Sequence, residues 1–192
     1  MADAQTDPGA PPEEAADEKR ARRPPKQELV EQHARSAFDA LGRRDPDAIG
    51  DHWREDGVND IVPVAVLRGR GEIVDFFREV FTAVPDLETT VNRVVASDRL
   101  AAVEWRMTGN FTGGPFRGIE PTGRPIHLRG CDLLEIEEGE IVGNTAYYDG
   151  AAFVRQIGLL PPEGSAAERA LTGAVNAVTA VRKALAERSG GR

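Results

Sequence analysis

Apolar positions recur every three or four residues from Lys26 onward, where Val30, Ala34, Ala37, Phe38 and Leu41 fall on one helical stripe that Gly42 closes. Asp45 and Pro46 read as the N-cap and first position of a short second helix that runs to Gly57 and sets Ile49 and Trp53 on one face. A third helix follows Gly71, with Ile73, Phe76, Phe77, Val80, Phe81 and Val84 as its stripe and Pro85 as its stop. Beyond Pro85 the period changes to two. Strands are predicted over residues 87–96, 100–111, 124–136 and 140–148, separated by Asp98, a glycine-rich stretch from Gly113 to Gly123, and Gly139. Past Pro161 and Pro162, Ser165 and Glu168 have the spacing of a capping box, and Leu171, Ala174, Val175, Val178 and Leu185 mark a narrow stripe on a C-terminal helix.

Helices first and long antiparallel strands afterwards define an α+β layout. A sheet this long, packed on one side by about three N-terminal helices, must curl around them, and the expected shape is a cone with room inside for a small ligand. All eleven aromatic residues lie between Phe38 and Phe153, which confines the largest burial energies to one core. The organisation predicted is a disordered tail over residues 1–25, one domain over 26–161, and an amphipathic helix and tail over 162–192, the helix packing modestly on its parent domain or a second subunit. The tail holds five of the thirteen prolines and cannot bury enough apolar area to offset its ordering entropy.

A net charge of -8 and a pI near 5.0 work against sequence-independent nucleic-acid binding, which needs an excess of Lys and Arg on one face. The one cysteine, Cys131, and three scattered histidines give no metal-binding spacing, so no zinc site is expected. No apolar run is long enough to cross a membrane, and no hydrophobic segment follows a basic region at the start, so a cytoplasmic location is the expectation.

Candidate chemistry follows from strand parity. On the third strand Leu128, Gly130, Asp132, Leu134 and Ile136 share a face that is apolar apart from Asp132. A carboxylate there either carries protons, because burial raises its pKa, or accepts hydrogen bonds from a neighbour such as Arg106 and organises the sheet. Asn144 and Tyr148 fall on one face of the last strand, where they could hold a ligand carbonyl or a forming enolate. Asp149, on the opposite face, reads as structural. His52 and Trp53 sit near the presumed mouth, whereas His33 and His127 receive no role. The outer face, bearing Trp105 and Met107 or their alternates, would expose apolar surface in a monomer, and a homodimer is expected on that ground.

Three stretches carry a family resemblance: Thr108-Gly-Asn-Phe-Thr-Gly-Gly-Pro-Phe-Arg-Gly118, Pro121-Thr-Gly-Arg124, and Arg129-Gly-Cys-Asp132 leading to Glu138-Gly-Glu-Ile141. Together with the closing run from Tyr147-Tyr-Asp149 to Leu160-Pro161, they resemble the SnoaL-like polyketide cyclases of the nuclear transport factor 2-like superfamily. The resemblance implies a cofactor-independent enzyme that uses a carboxylate in an apolar cavity for an intramolecular aldol cyclisation or an isomerisation of a hydrophobic carbonyl compound. It also implies substrate contacts at Asn59 and Asp60. The alternatives are a non-catalytic module that binds a hydrophobic small molecule, and an epoxide hydrolase, which uses an Asp-Arg-Asp arrangement. The cyclases resembled here carry a histidine where this chain has Asp132 and a catalytic aspartate where it has Ala146. Many also carry a histidine in the turn that here reads Thr108-Gly-Asn-Phe111.

Overall fold

The Asp45 carboxylate accepts the Ala48 backbone N–H at 3.0 Å, which caps the short helix that Pro46 opens. The structure, a computed structural model, describes residues 26–189. In chain order these form α1 Lys26–Gly42, α2 Pro46–Gly50, β1 Trp53–Val62, β2 Ala65–Arg68, α3 Arg70–Ala83, β3 Glu88–Ala96, β4 Leu100–Asn110, β5 Pro125–Glu137, β6 Glu140–Tyr148, α4 Gly150–Gln156 and α5 Ala166–Ser189. The tail predicted for residues 1–25 lies outside the described residues.

The α+β expectation holds, and the four long strands fall within a residue or two of their predicted bounds. The second helix is shorter than predicted. It ends at Gly50 rather than Gly57, and Trp53 begins a strand instead of sharing a helical face with Ile49. A helix of five residues has little intrinsic stability, and the ladder to β6 wins: Ile141 N donates to the His52 carbonyl at 2.8 Å, and Trp53 pairs with Ile141. The edge strand β2 and helix α4 carry no period long enough to be read from sequence.

The six strands form one curved sheet in the order β2-β1-β6-β5-β4-β3. Every pairing is antiparallel except β1 with β6, which is parallel, a departure from the wholly antiparallel sheet expected. Glu138 and Gly139, both at positive φ, turn the β5–β6 hairpin and fix its register, so Asp132 stands opposite Ala146 and Leu134 opposite Asn144. Helices α1, α2 and α3 pack on the inner face, where Val30, Ala34, Phe38, Ile49, Ile73 and Phe76 meet Val103, Trp105 and Ile136 in the main core.

Trp105 and Met107 point inward, so the outer face of the sheet is not built from them; its exposed large apolar residues include Leu133 and Tyr147. Helix α5 starts as its sequence predicts, with Glu168 N donating to Ser165 Oγ at 3.1 Å. Within this chain the stripe residues Leu171, Ala174, Val175 and Val178 are exposed and do not pack on the parent domain. Arg155, paired with Glu168, joins its first turn to α4. Among the described residues no helix is long and apolar enough to cross a membrane.

Candidate active site

Parity along the inner strands and the apolar stripe of α3 leave a chamber of about 140 Å³ between sheet and helices. Phe76, Phe77, Trp105, Met107, Leu128 and Phe153 supply much of its wall. Its polar side chains among the described residues are Asn59, Asp132, Asn144 and Tyr148, and no described Lys, Arg or His lines it.

Asp132 is partly buried, and it lines the chamber. Trp105 Nε1 donates to Asp132 Oδ1 at 2.7 Å and Asn144 Nδ2 donates to Asp132 Oδ2 at 2.7 Å, so each carboxylate oxygen holds one donor. Asn144 Nδ2 also donates to Asn59 Oδ1 at 3.0 Å. The register explains the chain of contacts: Asn59 pairs with Asn144 across the parallel β1–β6 ladder, and Trp105 stands opposite Gly130, two positions from Asp132 on the same face. Gly130 is required there, because a Cβ would lie 2.5 Å from the indole of Trp105 and 2.5 Å from the Tyr147 carbonyl oxygen. Without a side chain at Gly130, the indole can lean over the strand and reach Asp132.

Burial pushes the Asp132 carboxyl from its ordinary 3.8 up to about 6, and the Trp105 and Asn144 donors, which favour the charged form, hold it from rising further. Desolvation likewise pushes the Tyr148 phenol up to about 12, so it keeps its proton and can donate. The chamber therefore sets one proton acceptor near neutrality beside one fixed donor. Tyr148 pairs with Gly130, which makes it a diagonal neighbour of Asp132 at a Cα distance of roughly 7–8 Å.

The structure brings Asp132, Asn59, Asn144 and Tyr148 together, and it separates the other predicted site residues from them. Arg106 is exposed on the outer face opposite Arg129 and makes no contact with Asp132, because its neighbour Trp105 takes the inward position. Asp60 also faces outward, one residue past Asn59. Trp53 is buried in the core away from the chamber wall. His52 packs edge-on against His33 at 4.9 Å, and its pKa is lowered by burial and then by His33. His127 is exposed, and Asp149 caps α4 by accepting the Ala152 N–H at 2.8 Å. The Cys131 thiol is pushed up by burial and by Asp132, the reverse of what a nucleophile needs. Among the described residues no three His, Cys, Asp or Glu side chains gather into a group that would hold a metal ion.

Sequence reading missed the aromatic end of the chamber. The loop after β4 folds over the C-terminus of α3, with Gly113 N donating to the Ala83 carbonyl at 3.0 Å and Gly114 N to the Thr82 carbonyl at 2.9 Å. A Cβ at Gly113 would come within 1.9 Å of the Thr82 oxygen, so the paired glycines are what let the loop lie this close. The loop inserts Phe116 between Phe76 and Phe153, with ring centroids at 5.9 Å and 6.2 Å. The Gly-Gly-Pro-Phe run was the available signal. Phe116, Tyr148 and Phe153 also line a neighbouring groove of about 190 Å³, together with Arg117, Val154 and Leu159.

A sequence model described as SnoaL-like polyketide cyclase matches residues 31–157. No protein in the curated set matches the chain. Among solved structures, one described as a SnoaL-like polyketide cyclase from Jannaschia sp. CCS1 is similar at a TM-score of 0.65 and 22% identity, over 72% of this chain and 98% of that one. A protein of ketosteroid isomerase-like fold from Catenulispora acidiphila, solved in complex with trimethylamine, is similar at 0.56 and 19%, over 66% and 92%. An LEH-like epoxide hydrolase from M. tuberculosis is similar at 0.56 and 18%, over 69% and 92%. Likeness at these identities establishes the fold.

Proposed function

Because this chain belongs to the SnoaL-like polyketide cyclase family, we propose that its chamber is a catalytic site in which Asp132 moves protons on a hydrophobic carbonyl compound, in an intramolecular aldol cyclisation or an isomerisation. The observation that carries this reading is the carboxylate of Asp132 in an apolar chamber, held by Trp105 and Asn144 and poised at about 6. A base is most useful when its pKa lies near the working pH, since it is then largely ionised yet still basic. Ionised Asp132 takes a proton from the carbon beside the carbonyl. The Tyr148 hydroxyl, which keeps its proton, donates to the oxygen as negative charge develops there, and the enolate then attacks a second carbonyl or is reprotonated at another carbon. Chamber walls supply orientation, and the chemistry needs no cofactor.

The epoxide hydrolase reading is weaker, because Arg106 faces away from Asp132, the one carboxylate that the described residues place in the chamber wall. The binding-only reading rests on Ala146, which leaves Asp132 without the second acid of the resembled cyclases.

Exchange in D₂O tests the proposal. Wild-type protein is expected to speed deuterium incorporation beside the carbonyl of a cyclic ketone such as 2-tetralone, and Asp132→Asn to lose that acceleration. An Asp132 carboxyl that titrates by ¹³C NMR near the ordinary value of about 3.9, with no exchange above buffer, would falsify the catalytic role.

A further inference from the structure

The buried amides beside Asp132 carry information about the ligand that the carboxylate does not. An ionised Asp132 can only accept, so Asn144 must turn Nδ2 toward it; the second Nδ2 hydrogen then points at Asn59, which must answer with Oδ1. The orientation of both amides is thereby dictated from one end. Two groups are left over. Asn144 Oδ1 is buried without a partner, and Asn59 Nδ2 has none among the described residues, although Asn59 is only 2% exposed and Asn144 7%. Both residues line the chamber. The unmet Asn144 Oδ1 costs about 1–3 kcal/mol at this depth, a cost that a ligand with a matching donor would remove.

Charge and size narrow the ligand further. An anion would face Asp132 with no Lys, Arg or His among the described residues of the chamber wall to receive it. An ammonium offers donors alone and would leave Asn59 Nδ2 unanswered. A chamber of about 140 Å³ is close to the roughly 150 Å³ apolar cavity that takes a benzene-sized guest. The ring of Phe116, seated between Phe76 and Phe153, lines both this space and the neighbouring groove.

We propose that the inner chamber takes one neutral ring whose leading edge carries a hydrogen-bond donor and an acceptor, as in an aromatic carboxamide, a lactam or the enol of a cyclic β-dicarbonyl. Asn59 Nδ2 donates to the acceptor, Asn144 Oδ1 receives the donor, and any further part of the ligand lies outside Phe116. The inference rests on the chamber being the ligand site of the proposed function, and it adds the polarity and size of what enters.

Calorimetry on the full chain with four one-ring probes tests it: toluene with no polar group, acetophenone with an acceptor alone, benzamide with both, and benzylamine as the ammonium. Benzamide is expected to bind at least ten-fold more tightly than the other three, and Asn59→Ala to bring benzamide down to the level of toluene while toluene itself is unchanged. If the variant fails to fold, the comparison of benzamide with acetophenone on wild-type protein still decides. Equal affinity for those two overturns the proposal, as do tighter binding of benzylamine than of benzamide, or no binding of any probe at millimolar concentration. Selectivity for benzamide with Asp132 titrating near its ordinary value would sink catalysis and leave this inference standing; titration near 6 without selectivity would do the reverse.

Discussion

Trp105 Nε1 lies 2.7 Å from Asp132 Oδ1, and the approach is open only because Gly130, opposite Trp105 on the neighbouring strand, has no side chain. One small residue thus decides whether an indole can steady a carboxylate. The consequences of that arrangement are measurable.

Removing the indole donor should raise the pKa of Asp132. The hydrogen bond favours the ionised form, so Trp105→Phe leaves burial as the dominant influence and is expected to move the carboxyl above its present value of about 6. A ¹³C titration of the two proteins reads this directly. A lower or unchanged midpoint would show that the indole does not hold the charge.

Stability should depend on pH through the same group. The folded pKa of about 6 lies above the ordinary 3.8, so Asp132 favours the fold while both states are protonated, below 3.8. That contribution is lost as pH rises from 3.8 through about 6 and is gone above it, a change of about 3 kcal/mol by linkage. Urea unfolding of wild type and Asp132→Asn between pH 3 and 8 isolates it. The difference in unfolding free energy, wild type minus variant, is expected to fall by that amount over this window, whereas a flat difference would mean an ordinary solvated carboxyl.

Gly130→Ala is expected to destabilise the protein by about 1–3 kcal/mol, since the new methyl group meets both the Trp105 ring and a backbone oxygen that cannot give way. Gly143→Ala is the control. Its Cβ would meet nothing nearer than Glu135 at 3.7 Å, and a change of less than about 1 kcal/mol is expected. Equal melting points for the two variants would contradict the packing around Trp105.

Deleting the C-terminal helix after Glu168 should leave the domain intact. Every described side chain from Arg169 to Lys183 is exposed, so the melting temperature is expected to stay within about 2 °C. A much larger drop would reveal that the exposed stripe packs on something in solution.

Much of the fold was legible because its cause is local. The stripes of α1 and α3 and the period of two beyond Pro85 follow from how a helix or strand presents successive side chains, and strand parity was enough to point Asp132 inward. Parity fails where it must choose between adjacent residues. Trp105 and Arg106 occupy opposite faces, and the choice between them fell to the larger apolar group, which removed Arg106 from the site. Asp45 at the cap of α2 and Ser165 at the cap of α5 were equally plain, since a cap is decided within four residues.

What only the tertiary structure decided is the company Asp132 keeps. Asn59 and Asn144 are 85 residues apart, joined by a parallel pairing that no periodicity announces. Phe116 reaches the chamber from a loop without a period, and it does so because Gly113 and Gly114 let that loop lie against α3. Sequence pattern fixes which way a side chain faces along its own strand; which donors it meets depends on strand order and register, and those are settled by burying the whole inner face at once.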